Sequence, residues 1–364
     1  MDVIITILKQ KKIKVFLVFF CFIVVVLSCV KNRDVELTKI YNNADKVIGI
    51  QFNNTLKSNE YKIVLQGQNT AVLGTFTEKK GRLTFNPVIP FTSGESYEIR
   101  KDSIVMTEFK IPLLKNHTSP TVEHIYPTSS ILPENLLKMY FVFSEPMQEV
   151  GNILDYITIV NKTKDLEEEV FLNLESELWN KEHTILTLWL DPGRIKTDLI
   201  PNKEKGLPIL EGNRYALTIS KELKSAKGIP IATDYIKNFK VSKRDKQKPS
   251  LTNWKLTVPV KNTTTALSIS LDEPLDAILL KETILVYYKD KKIEGDFSLS
   301  KNETLIHFKP KHQWQSGQYK IIVSSILEDL AGNNLNRLFD SDVDAKVDGS
   351  AEETLHKRLS FFVE

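Results

Sequence analysis

The sequence predicts an all-β fold: tandem antiparallel sandwiches, each of two sheets. Three observations carry the prediction. Leu137 to Phe143 alternates strictly, with Leu137, Met139, Phe141 and Phe143 on one side and Lys138, Tyr140 and Val142 on the other, the period of a strand with one face in a core. Pro146 then stops ladder pairing, because it has no backbone N–H. The same device returns at Leu267-Ser-Ile-Ser-Leu-Asp-Glu-Pro-Leu275. Finally, Tyr215, Leu223, Gly228 and Ile231 match Tyr319, Leu327, Gly332 and Leu335 at identical spacing, which marks an internal repeat.

Taken in order, the chain of 364 residues opens on a basic stretch with Lys9, Lys11, Lys12 and Lys14. A continuously apolar run follows from Val15 to Leu27. This is the plan of a secretory signal, too short for a comfortable membrane-spanning helix of about 20 residues. The run ends in Val26-Leu27-Ser28-Cys29, which resembles the lipobox of bacterial lipoproteins. The resemblance implies cleavage after residue 28. It implies a diacylglycerol on the Cys29 thiol and a further acyl chain, such as palmitate, on its amine. Two or three acyl chains anchor stably where one does not. The other cysteine, Cys21, lies in the removed segment, so no thiol remains for a disulfide, a zinc site or a nucleophile.

The full chain has 49 Lys+Arg and 46 Asp+Glu; residues 1–28 hold four Lys and one Asp, so 45 of each sign remain. A neutral mature chain without a basic patch argues against a nucleic-acid partner. Residues 29–46 are polar and mixed in charge, and read as a tether.

Three units are expected beyond the tether, at residues 47–113, 119–242 and 249–364. Each has a strand ending in Pro, a turn carrying Gly, and a Tyr opening the next strand: Phe85-x-Pro87 with Gly94 and Tyr97, Leu190-Asp-Pro192 with Gly212 and Tyr215, Phe308-x-Pro310 with Gly317 and Tyr319. The Gly permits positive φ. The Tyr is expected in the core or at a corner, with its hydroxyl on a backbone partner. The first unit is the shortest and is expected to lack one or two strands. The middle unit reads as strands at 122–125, 137–143, 156–160, 169–174, 184–190, 215–219 and 239–241. The last reads as strands at 251–256, 266–271, 283–288, 295–299, 304–308, 319–323 and 359–363. Seven strands each suggest a two-sheet sandwich. Residues 114–120 and 242–249 read as linkers, the second a solvated hinge rich in Lys and Arg.

The middle and last units resemble bacterial Ig-like domains of the surface-layer (SbsA) type. The residues carrying the resemblance are Phe143-Ser-Glu-Pro-Met147, Leu190-Asp-Pro192, Gly212-x-x-Tyr215 and Leu330-Ala-Gly-Asn-Asn-Leu335. It covers residues 119 to 364. The first unit departs from it, with Asn53-Asn54 where Glu-Pro would stand. The resemblance implies an extracytoplasmic spacer or binding module, with no common ligand and no chemistry.

A search for chemistry assembles no catalytic set. The six histidines form no His-x-x-x-His or His-Glu-x-x-His pair, and neither a Gly-x-Ser-x-Gly elbow nor a phosphate-cradling Gly loop is present. Glu167-Glu168-Glu169 reads as a solvated edge that discourages sheet-to-sheet pairing. Two segments break the repeat. Residues 193–210 lengthen the Pro-to-Tyr interval of the middle unit, and Arg194, Lys196 and Asp198 there could meet an anionic or sugar ligand. The same segment also reads as a cap over the sandwich end, burying Ile195, Leu199, Ile200 and Leu210. In residues 336–357, Asp340, Asp342 and Asp344 are candidate calcium ligands. Ala345 and Ala351 stand where a calcium loop needs Gly and Glu, so a mobile acidic loop is the plainer reading and no metal site is assigned.

The expectation is therefore a non-catalytic lipoprotein of the bacterial cell envelope, lipid-anchored at the outer membrane and facing the periplasm or the cell surface. Its Ig-like sandwiches would serve binding, adhesion or display toward a protein or glycan. A structural spacer of an envelope complex and a hydrolase with a loop-built site are the alternatives. A glycan binder would expose aromatics on one face, which singles out Trp179, Trp189, Trp254 and Trp314.

Overall fold

The structure is a computed structural model that describes residues 36–52, 60–113, 118–340 and 354–364. The signal segment, Cys29, Asp342 and Asp344 lie outside them. The chain divides into two compact units, residues 1–117 and 118–364.

Among its described residues the first unit holds seven strands: β1 (Leu37–Tyr41), β2 (Val47–Phe52), β3 (Tyr61–Leu65), β4 (Gly74–Lys79), β5 (Arg82–Pro87), β6 (Ser96–Lys101) and β7 (Ile104–Lys110). They form sheets in the orders β1-β2-β5-β4 and β3-β6-β7, around a core that includes Ile50, Phe52, Ile63, Phe85, Tyr97 and Ile99. One expectation is corrected here, the tether. Residues 47–113 alone hold six described strands, one fewer than seven, and the seventh, β1, lies inside the stretch read as tether and joins the unit. Only Leu37 and Ile40 are aliphatic in β1, too few to show alternation. The strand forms because Asn42 closes a hairpin, its side-chain oxygen accepting from the amides of Ala44 and Lys46, both at 3.0 Å.

The second unit contains two sandwiches. The middle one comprises β8 (Val122–Tyr126), β9 (Ile131–Pro133), β10 (Lys138–Phe143), β11 (Ile157–Asn161), β12 (Leu166–Glu167), β13 (Leu178–Trp179), β14 (Ile185–Trp189), β15 (Arg214–Ile219) and β16 (Tyr235–Ser242), with short helices α1 (Pro192–Ile195) and α2 (Ile200–Lys205). Its sheets run β13-β14-β10-β8 and β12-β11-β15-β16-β9. Pairing is antiparallel except between β9 and β16, which run parallel. Residues 169–174 are not the expected strand. They touch the sheet of β14 only at single points: Phe171 bridges Leu190, and the Leu172 amide donates to the Trp189 carbonyl at 2.8 Å.

The last sandwich comprises β17 (Lys255–Thr257), β18 (Leu267–Ser270), β19 (Ile284–Tyr288), β20 (Lys291–Lys292), β21 (Gly295–Ser300), β22 (Leu305–Pro310), β23 (Gly317–Ser324) and β24 (His356–Val363), with helix α3 (Ala277–Thr283). Its sheets run β17-β18-β22-β21 and β20-β19-β23-β24. Its opening differs from the expected strand at 251–256, because residues 251–253 wind into a 3-10 turn.

The Tyr landmark has one geometry in all three sandwiches. Tyr97, Tyr215 and Tyr319 are buried, and each hydroxyl accepts from a backbone amide a few residues upstream: Thr92 at 3.1 Å, Leu210 at 3.0 Å and Gln315 at 3.0 Å. The matched spacing of the middle and last units is equally physical. Leu223 and Leu327 are fully buried, and Gly228 and Gly332 turn at φ 76° and 80°. The corner so formed pairs Met147 with Ser225 in one unit and Leu275 with Asp329 in the other.

Candidate functional site

The insertion after β14 is folded from within. Asp191 caps α1, its carboxylate accepting from the Gly193 amide at 2.9 Å, and Pro192 occupies the first turn, where its missing N–H costs nothing. Ile195 and Ile209 are fully buried, whereas Leu199 and Ile200 are exposed, so only part of the apolar set caps the core. Arg194 holds the segment together. Its guanidinium donates to the carbonyls of Gly206 at 2.9 Å, Leu207 at 2.9 Å and Glu169 at 2.6 Å. The Lys196 ammonium lies 4.6 Å from the centre of the Phe339 ring. Asp198 is exposed and 3.7 Å from Lys203. The structure does not aim the three side chains at one point.

The insertion abuts the junction between the middle and last sandwiches, and so does Asp340. The Asp340 carboxylate accepts from the amide and hydroxyl of Thr197, at 3.1 Å each, and pairs with Arg244. Arg244 also donates to the Ile195 carbonyl at 2.7 Å. The linker is thus tied along its length, and the expected solvated hinge is corrected. The amide of Asp245 donates to the Asn135 side chain at 2.8 Å, the Gln247 carbonyl accepts from Asn333 at 2.9 Å, and Lys248 reaches the Asn336 carbonyl at 3.2 Å. Leu330 and Phe339 of the last sandwich pack against the middle core, and the Leu137 amide donates to the Leu330 carbonyl at 2.9 Å.

Beside this seam lies a charged cluster. Lys138 of β10 sits 2.9 Å from Asp276 and 2.9 Å from Glu328, and the Tyr140 hydroxyl donates to Asp276 at 2.7 Å. Asp276 also caps α3 through the amides of Ile278 and Leu279. Burial alone would lower the Lys138 pKa, but Asp276 and Glu328 outweigh it and raise it. Burial, with Asp276 adding to it, raises that of Tyr140. Such a cluster fixes geometry more than it adds stability.

A second group forms at the Glu-Pro corner of the last sandwich. Asp245 of the linker, Glu273 and Asp329 place carboxylate oxygens within 4.8 Å of one another. They are the one group among the described residues close enough to hold a metal ion. Burial pushes Glu273 up to about 8, helped by Asp329, Asp245 and Asp272. Burial pushes Asp329 up to about 7, against the bonds it accepts from Asn333 and Ala331. The sequence reading missed this trio. The signal was available in the repeat itself, where Asp329 stands in the place of Ser225.

Of the four tryptophans, Trp254 and Trp314 are buried and Trp179 and Trp189 half-buried. Trp179 donates to Glu177 at 2.7 Å, and Trp189 lies under the Lys138 ammonium at 5.2 Å. None forms an open platform. Among the described residues no helix is long and apolar enough to cross a membrane.

No family model matches the chain, and no curated protein matches it. Among solved structures, it is similar to native α2-macroglobulin from Escherichia coli spanning domains MG0-NIE-MG1, at 13% identity over 57% of this chain and 66% of that one, TM-score 0.23. It is also similar to the N-terminal part of the bacterial S-layer protein SbsC, at 14% identity over 57% and 41%, TM-score 0.25. A third is a type I pullulanase from Bacillus subtilis complexed with maltose, at 9% identity over 63% and 28%, TM-score 0.22. The chain spans less than two thirds of each, and likeness at this level carries no argument about function.

Proposed function

We propose that the chain is a non-catalytic lipoprotein of the bacterial cell envelope, held to a membrane through acyl chains on Cys29 and presenting its Ig-like sandwiches as a binding or display module. The observation that supports this most is the junction in the second unit. Its linker is bonded on both sides, its Lys138 cluster is largely buried, and Leu330 and Phe339 of one sandwich pack against the core of the other. A junction so tied holds two sandwich ends at fixed spacing, which lowers the ordering cost when a partner is met. Of the binding candidates in the insertion, Arg194 and Lys196 are committed to structural contacts and Asp198 is exposed.

The burial of Trp254 and Trp314 and the half-burial of Trp179 and Trp189 favour a second reading, a structural spacer of an envelope complex, over a glycan binder. The anchor is tested by Cys29→Ala. Fatty-acid labelling is expected in the unaltered chain and absent from the variant, with the precursor left uncleaved between Ser28 and Cys29. Labelled, normally processed variant would overturn the lipoprotein assignment.

A further inference from the structure

The edge strand β11 is paired unevenly. On one side it pairs with β15 from Ile157 to Asn161; on the other it meets β12 only through Val160 and Asn161. Three hydrogen bonds fix which residues face which way. The Tyr156 carbonyl accepts from Ser220 and the Lys162 amide donates to Arg214, so even-numbered residues turn their backbone groups toward β15. The Ile159 carbonyl accepts from the Glu168 amide at 3.0 Å, so odd-numbered residues face the open side. The amide and carbonyl of Ile157 and the amide of Ile159 therefore point away from the sheet.

Ile157 and Ile159, each 2% exposed, line a groove of about 520 Å³ together with Phe171 and Asn173, within the size range of ligand sites. The Phe171 segment stays off the ladder because its bonds go elsewhere. Phe171 bridges Leu190 and packs edge-on against Phe141, and Arg194 grips the Glu169 carbonyl. Every charged residue lining the groove is a glutamate. Glu168 is spent on Asn161 and Lys164, while Glu167 and Glu169 are exposed. The equivalent edge of the last sandwich, beside β19, carries Lys291 and Lys292 instead.

We propose that the open edge of β11 is a docking strand for an extended segment of a partner protein, with lysine or arginine alternating with apolar residues. An unpaired edge is a template for strand addition. Backbone pairing with Ile157 and Ile159 supplies attachment, Phe171 and Leu154 meet the apolar side chains, and Glu167 and Glu169 select the basic ones. The proposal names a partner chemistry for the binding-module reading, but its test is independent of acylation, so its failure leaves the anchor untouched.

The probe is an acetylated, amidated hexapeptide of alternating valine and lysine, added to the full chain at up to millimolar concentration. Hydrogen exchange in residues 156–160 is expected to slow about tenfold or more on saturation. Glu167→Gln with Glu169→Gln is expected to weaken binding by about tenfold, without altering thermal stability. A peptide N-methylated at alternate residues is expected not to bind. The proposal is overturned by absence of protection at 156–160, by binding that survives N-methylation, or by equal affinity for the glutamine variant.

Discussion

The Glu-Pro corners of the middle and last sandwiches share a backbone and differ in charge. In the middle unit, Glu145 pairs with Lys227 at the surface, and the buried position across the bridge is Ser225. In the last unit the residue corresponding to Lys227 is the buried Ala331, the one corresponding to Ser225 is Asp329, and Asp245 arrives from the linker. One corner is neutral and solvated; the other concentrates three carboxylates. The difference follows from position. The middle corner is open to solvent at Lys227, whereas the last corner is covered by the seam, where Gly332 lies against Leu137. A repeated motif thus sets backbone geometry, while its neighbours set its electrostatics.

The widest effect should ignore the difference. Tyr215→Ala and Tyr319→Ala should each cost about 3–5 kcal/mol, as large aromatic truncations in a core do, measured by denaturant unfolding. Clearly unequal losses would mean that the two sandwiches do not share one corner plan. The next should act on the seam. Lys138→Ala leaves Asp276 buried beside Glu328 without its cation, and should cost roughly 3 kcal/mol while separating the unfolding transitions of the two sandwiches. A single, unshifted transition would show that the seam contributes little.

The corners themselves are separated by pH. Glu273 and Asp329 have folded values above their unfolded ones. Their contribution is therefore fully present below pH of about 4 and is lost as pH rises through about 7 to 8. Tm of the second unit should fall by roughly 3–6 °C between pH of about 5.5 and about 8.5. Glu273→Gln and Asp329→Ser should flatten the slope, and a slope that survives both would place its source elsewhere. The smallest effect belongs to the middle corner: Lys227→Ala removes an exposed ion pair and should change stability by less than about 1 kcal/mol, with no new pH dependence.

How much of this was legible follows from where each signal lies. Pro192, Gly212 and Tyr215 act through local φ, missing amides and a hydroxyl that bonds five residues back, so their spacing could be read directly. The strand β1 was hidden because its pairing depends on the Asn42 turn rather than on alternation. Residues 169–174 alternate well enough to look like a strand, yet Arg194, 25 residues beyond Glu169, takes the Glu169 carbonyl and holds the segment off the ladder. The acidic trio joins residues 245, 273 and 329, and nothing local announces that Asp245 leaves the solvent. The Arg244–Asp340 pair likewise needs the folded seam before either partner has a meaning.

The parallel pairing of β9 with β16 has a mechanical consequence. These strands lie near the entrance and the exit of the middle sandwich, with Ile131, Leu132 and Pro133 set against Lys240, Val241 and Ser242. Tension applied to the two ends of this sandwich draws such strands past each other lengthwise. The bonds from Lys240 to the Ser130 carbonyl and from Glu134 to the Ser242 carbonyl are then loaded together, in shear, rather than opened one after another. The last sandwich begins on β17, an antiparallel edge strand in the sheet opposite its final strand β24, and lacks that clasp among the described residues. Pulled from its ends in a single-molecule force measurement, the second unit should therefore yield in the last sandwich first, with the middle one giving way at the higher force.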